Sequence, residues 1–324
     1  MLNSLFQLFI LGLEGDNLKT NPNFIYSLKN DLGGVIFFTQ NIISENNFVN
    51  LVNDIKNYSS KKLFLSIDQE GGRVERTENI HNGKKYKSAM FIAKDGFDAL
   101  AMQTENIAKE LKHYGLNMNF APVCDVNSNP NNPIIGERSY GNTPEFVAQC
   151  AEIVSKIYLR NNIIPVAKHF AGHGDTTIDS HLSLPTVELD FKELEKIHIY
   201  PFKKNLHIPA FMVSHVHYKA FDEKEMPATL SKNVIQNYLI KQLNYNGIII
   251  SDDMVMGALK KYNPVEAILL GLEAGLDMFI YRLCDDKIIE IIHNVYDECK
   301  HSNFMRKKIE NSAEKIYRIK KSML

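Results

Sequence analysis

Short runs of β-branched and aromatic residues recur along the chain, separated by longer stretches in which apolar positions fall three and four residues apart. The runs read as buried strands and the stretches as amphipathic helices, the alternation expected of βα units around a parallel sheet. Eight runs qualify: Leu5–Leu13, Gly34–Phe38, Leu63–Asp68, Leu116–Val123, Ile163–His169, Ala210–His215, Gly247–Asp252 and Leu276–Tyr281. Between them, Glu45–Tyr58 places Phe48, Leu51, Val52 and Ile55 on one helical face, and Val147–Leu159 and Lys192–Leu206 repeat the period.

Eight such units predict a single-domain (β/α)8 TIM barrel of the α/β class. A doubly wound open sheet uses the same unit, and the placement of polar residues separates the two. Asp68, His169, His215 and Asp252 stand at or just beyond the C-terminal ends of different runs, with Asp125 shortly after the fourth. In a barrel those ends converge on one face; in an open sheet they would be strung along an edge. Neither a GxGxxG after the first run nor a GxxxxGK[ST] occurs. With no internal repeat or low-complexity linker, residues 1–324 are expected to form one barrel domain with a C-terminal helical extension. A barrel of roughly 250 residues leaves a surplus, which the reading assigns to loops around Glu75–Lys94 and Asn127–Thr143 and to the C-terminal helix.

Charge narrows the partners. Lys plus Arg number 37 against 38 Asp plus Glu, a net charge of -1, which argues against nucleic acid. The four cysteines, Cys124, Cys150, Cys284 and Cys299, show no CxxC spacing, so a reducing cytoplasm is expected. The apolar opening Leu5–Leu13 has no preceding Lys or Arg and is closed by Glu14 and Asp16. It is therefore read as a strand, with no membrane partner expected.

The densest chemistry lies in Lys168-His169-Phe170-Ala171-Gly172-His173-Gly174-Asp175-Thr176-Thr177-Ile178-Asp179-Ser180-His181, too polar for a core segment and punctuated by glycines. Within it Asp179 and His181 stand two apart, so in extended chain the carboxylate can fix the imidazole tautomer and raise its basicity. A second constellation, Gly247–Met254, is a buried strand ending in Asp252 and Asp253; Asp252 is read as the acid in the site, and Asp253 as a cap for a helix starting near Met254 or a support. A third, Ser66–Arg76, ends a strand in Asp68 and Glu70 before a Gly-Gly turn and Arg73 and Arg76. With Gly136-Glu137-Arg138-Ser139-Tyr140-Gly141 it supplies donors and acceptors for a polyhydroxylated or anionic ligand.

Four motifs in order, IDQEGGRVER at 67–76, GERSYG at 136–141, KHFAGHGDTTIDSH at 168–181 and ISDDM at 250–254, resemble the single-domain β-N-acetylglucosaminidases of glycoside hydrolase family three, which act in peptidoglycan recycling. The resemblance implies hydrolysis of terminal non-reducing GlcNAc with retention, on a cytoplasmic GlcNAc-1,6-anhydro-muramic acid disaccharide or its muropeptide. It implies Asp252 as nucleophile, His181 as acid/base oriented by Asp179, and Asp68, Arg76, Arg138, Lys168 and His169 as sugar ligands. No cofactor or metal is implied, and a monomer is expected. Ala171 departs from the family's usual Pro, and Met254-Val255-Met256 from a frequent Leu-Ser-Met, leaving the assigned residues in place.

Two alternatives remain at this level. A metal-dependent barrel hydrolase could draw on His169, His173, Asp175, His181, His215 and His217. A phosphorylase could use the same site, because neutral His181 repels an anion less than a carboxylate would. His173, Asp175, His215, Asp253 and Glu70 are read as supports of the site.

Overall fold

The computed structural model describes residues 1–177, 180 and 183–324. The expected Asp179 and His181 lie outside the described residues. Eight parallel strands close into a barrel in chain order: β1 (Phe9–Leu11), β2 (Gly34–Phe37), β3 (Phe64–Ile67), β4 (Met118–Asn119), β5 (Ile164–Phe170), β6 (Ala210–Val213), β7 (Ile248–Asp253) and β8 (Met278–Tyr281). β1 pairs with both β2 and β8, which completes the ring. Every residue of β1, β2, β3, β5, β6 and β8 is buried, as expected of strands covered by side chains inside and helices outside.

The helix expected over Glu45–Tyr58 has those bounds, buries Phe48, Leu51, Val52 and Ile55, and is capped by Ser44, whose side chain accepts from Asn47 N. Val147–Leu159 is the centre of a longer helix, Pro144–Arg160, started by a proline that needs no donor partner there. Lys192–Leu206 is three short pieces, Phe191–Leu194, a π turn over Glu195–Ile199, and Tyr200–Lys204.

Two strands are less than half as long as the apolar runs that predict them. In Leu5–Leu13 only Phe9–Leu11 is strand; Leu2–Phe6 is a helix packed against the C-terminal helix Asn303–Met323. A continuous apolar run does not distinguish a buried helix from a buried strand. In Leu116–Val123 only Met118–Asn119 is regular strand, because Pro122 has no N–H to give the ladder. Pairing resumes as one bridge, Val123 to Lys168. The expected helix start near Met254 is also corrected: a 3-10 turn, Gly257–Leu259, intervenes, and the helix is Pro264–Ala274 with Asn263 as its cap.

The N-terminal end of the barrel is stoppered by the C-terminal helix. Lys320 is buried there, with Nζ donating to the Gly33 carbonyl at 2.6 Å and standing 4.9 Å from the Phe64 ring centre. Burial pushes its pKa down to about 7, against the opposing charge of Asp31. At the opposite end the strand C-termini and their loops enclose a cavity.

Candidate active site

Asp68, Arg76, Arg138, Lys168, His169 and Asp252 all line that one cavity, of about 350 Å³. A volume at the lower end of small-molecule sites suits a single sugar ring. Six sequence-predicted residues are thus brought together from β5, β7 and the loops after β3 and β4.

An ion network forms one wall. Arg138 donates through Nε and Nη2 to the two carboxylate oxygens of Glu70, both at 2.8 Å. Lys168 Nζ lies 2.6 Å from Glu70 and 2.7 Å from Asp68. Arg76 approaches the other Asp68 oxygen at 3.8 Å and stacks over Phe38, while its Nε is buried with no partner among the described residues. Burial works against ionised Glu70, but the adjacent Arg138 and Lys168 outweigh it and hold the carboxyl well below the usual range. Glu70 is therefore ionised at neutral pH, and Lys168, 2% exposed, stands between two carboxylates.

Asp125 organises a second wall. It is fully buried and accepts from His169 Nδ1 at 2.6 Å, from the His169 backbone N–H, and from the His173 N–H at 2.6 Å. With Nδ1 protonated, His169 turns Nε2 toward Arg138 Nη2 at 3.4 Å and can accept. His173 follows with Nδ1 at 2.8 Å from Thr176 Oγ1 and Nε2 at 3.1 Å from Ser180 Oγ. Burial first, and then the neighbouring His169, lower its pKa to about 4, so it is neutral in use. Gly174 fits here because a Cβ would stand 1.7 Å from the Val126 carbonyl oxygen.

Asp252 is the penultimate residue of β7, its Oδ1 accepting from the Asp253 N–H at 2.8 Å. Burial opposes its charge, but His169, His215, that N–H and Lys168 together keep its pKa below the ordinary value. It is ionised at neutral pH. Of the acids lining the cavity, Asp68 faces Lys168 and Arg76, and Asp253 pairs with Arg282. Asp252 alone of the three has no cationic side-chain partner among the described residues. Asp253 also accepts from the Val255 N–H, so it holds the turn after β7 and caps no helix.

Of the imidazoles of the metal alternative, His169 and His173 stand together, with ring centres 5.9 Å apart, and His181 lies outside the described residues. His215 bonds Thr229 and the Asp253 carbonyl, and His217 lies in a two-stranded ribbon, Thr186–Val187 with His217–Tyr218, where its Nδ1 accepts from the Met226 N–H. Among the described residues no three His, Cys, Asp or Glu side chains are grouped to hold a metal ion. Sequence reasoning ranked Glu70 and Asp125 below their structural weight and did not single out Arg282. The only signal for Asp125 was its place beyond a strand end, and for Glu70 the unusual density of acids after a buried run.

Comparison with known proteins agrees with this geometry. Beta-hexosaminidase A of Pseudoalteromonas piscicida is 32% identical over 271 residues, covering 76% of this chain and 45% of that protein. The beta-hexosaminidase of Tolumonas auensis is 32% identical over 254 residues, 77% of this chain and 75% of its own. Among solved structures, a glycoside hydrolase family 3 beta-N-acetylglucosaminidase from Paenibacillus sp. str. FPU-7 superposes with a TM-score of 0.91 at 30% identity, covering 99% of this chain and 62% of the other. The chain thus spans less than two thirds of the first and the last of these. Residues 17–319 match the family described as "Glycosyl hydrolase family 3 N terminal domain", and the chain belongs to that family.

Proposed function

We propose that the protein is a retaining exo-β-N-acetylglucosaminidase. The observation that carries this reading is Asp252: an ionised carboxylate free of cationic partners among the described residues, facing a ring-sized cavity whose other wall is fixed charge. Lys168, Arg138 and Arg76 can donate to sugar hydroxyls and an N-acetyl oxygen, and Asp68 can accept from hydroxyls. Hexosaminidase relatives at 32% identity support the GlcNAc-type substrate.

In the first step an Asp252 oxygen bonds to the anomeric carbon as the glycosidic C–O bond breaks, while protonated His181 gives its proton to the leaving oxygen. In the second, neutral His181 takes a proton from water, whose oxygen displaces Asp252 and restores the β configuration. The roles of His181 and of Asp179, which would orient it, rest on the DSH motif. The finer substrate is GlcNAc-1,6-anhydro-muramic acid, with or without peptide. The four cysteines, all free and buried, fit the reducing cytoplasm where that sugar would be met.

Incubation with a slow fluorinated GlcNAc glycoside followed by peptide mapping should place the label on Asp252; a label elsewhere, or turnover without one, refutes the mechanism. In phosphate buffer the product should be free GlcNAc, and GlcNAc-1-phosphate as the main product would instead establish phosphorolysis.

A further inference from the structure

Ser180 lines the cavity and is buried there, with its carbonyl accepting from the Ala258 N–H at 3.0 Å and its Oγ 3.1 Å from His173 Nε2. What its hydroxyl offers a ligand depends on where the single hydrogen goes, and the neighbours of His173 decide that.

The hydrogens can be followed from Thr176. Its Oγ1 lies 3.0 Å from the His173 carbonyl oxygen, a contact between two oxygens that needs a hydrogen, and only the threonine has one to give. Asn132 Nδ2 donates to the same Oγ1 at 3.2 Å and to the His173 carbonyl at 2.9 Å. With the Thr176 hydrogen spent, the 2.8 Å contact between His173 Nδ1 and Oγ1 must be donated by the imidazole. A neutral ring protonated at Nδ1 has a bare lone pair at Nε2. Ser180 therefore donates to Nε2. Among the described residues Oγ has no other partner, so its own lone pairs are what remain for an occupant of the cavity.

Position narrows the occupant. Asp252 lines the same cavity and its charge reaches His173, so the hydroxyl sits toward the end where an anomeric carbon would meet Asp252. In a pyranose that carbon has two ring neighbours, the ring oxygen, which carries no hydrogen, and C2. Within the sugar, a donor beside the anomeric carbon can come only from the substituent on C2. Resting on the glycosidase reading above, we infer that Ser180, held as a pure acceptor by His173, receives the amide N–H of a 2-acetamido group and selects such a sugar over one whose C2 substituent has no hydrogen to give. Thr176 is a positioning residue that acts through His173.

The test uses two aryl β-glycosides of one phenol, the 2-acetamido glucoside and the 2-O-acetyl glucoside, in which an ester oxygen replaces the N–H at nearly the same shape. The ester is read as a competitive inhibitor where its turnover is too slow to follow. Ser180→Ala should lower kcat/KM on the acetamido glycoside about five- to tenfold, the worth of one neutral hydrogen bond, and leave the ester unchanged or better accepted, because two facing acceptors are no longer opposed. Comparing the ratio of the two substrates between proteins cancels their intrinsic reactivity. Thr176→Val frees the ring to carry its hydrogen on Nε2, so it should shrink the same preference with Ser180 untouched; if Ser180→Ala does not fold, this variant decides alone. Equal loss on both substrates, or an unchanged preference in the variants, overturns the assignment of Ser180 and leaves the glycosidase reading standing. Failure of the wild-type protein to hydrolyse the acetamido glycoside removes that reading and this inference with it.

Discussion

Glu70→Gln tests whether the buried ion network holds the proposed sugar-binding wall in place. Three charge-assisted contacts end on this carboxylate, two from Arg138 at 2.8 Å and one from Lys168 at 2.6 Å. The Glu70 and Lys168 side chains are 3% and 2% exposed. An amide keeps one acceptor and turns an NH2 toward two cations. Removing one partner of a buried ion pair costs about 3–5 kcal/mol. The lower end applies because Lys168 retains Asp68. Urea unfolding at pH 7 should therefore show a loss of about 3 kcal/mol, a large part of a typical total of ~5–15 kcal/mol. On an aryl β-GlcNAc glycoside KM should rise more than kcat falls, because Arg138 and Lys168 lose their fixed positions. The sign with pH is also determined: Glu70 has its folded pKa depressed, so its contribution is complete above its unfolded value of ~4.3 and is lost as pH falls toward the folded value. The gap between wild type and variant should be constant from neutral pH to about 6 and shrink below about 4. A gap under about 1 kcal/mol, or one that does not shrink in acid, would refute the argument.

Three further outcomes are expected. Asp252→Ala should lower kcat/KM by more than about 10³-fold with little change in melting temperature, since it removes the proposed nucleophile, which among the described residues accepts one backbone N–H; a mild loss would argue against a nucleophile. Gly174→Ala should destabilise by about 1–3 kcal/mol and depress activity, because its Cβ would meet the Val126 carbonyl oxygen at 1.7 Å and force the loop to shift. A neutral result in urea unfolding would show that the loop yields freely. For Lys320→Met the readout is stability against pH. The folded pKa of about 7 lies below the ordinary 10.5, so the unfolded chain binds more protons between them and wild-type stability should rise with pH there, by about 2 kcal/mol from pH 7 to 9 relative to the variant. Parallel curves would mean that the ammonium is not desolvated.

Most of the barrel could be read from the chain because strand burial writes itself as apolar runs, and Glu45–Tyr58 matched to the residue because cap, period and polar face agree. The failures share a cause. Leu5 and Phe6 at the end of the first helix and Phe9–Leu11 in the strand are all buried and apolar, so nothing local marks the boundary between helix and strand. The nucleophile candidate and the sugar-wall residues were legible as polar groups at strand ends. Their hierarchy was not, since Glu70 earns its importance from Arg138, 68 residues away, and Asp125 from His169, 44 residues away. Arg282 was invisible for the same reason: its partner Asp253 lies on the neighbouring strand, 29 residues earlier.

The bond from Lys320 to the Gly33 carbonyl joins positions 287 residues apart. During synthesis from the N-terminus, β2 is made long before the helix that closes over its start, so the lower end of the barrel stays unsealed until almost the whole barrel has left the ribosome. Sealing is therefore a late step in folding, and a chain stalled before the C-terminal helix would leave the Phe64 ring without its Lys320 cover, at the end of the barrel remote from the candidate site. Quality control that recognises exposed barrel floor would then sort incomplete from complete chains without reference to catalysis.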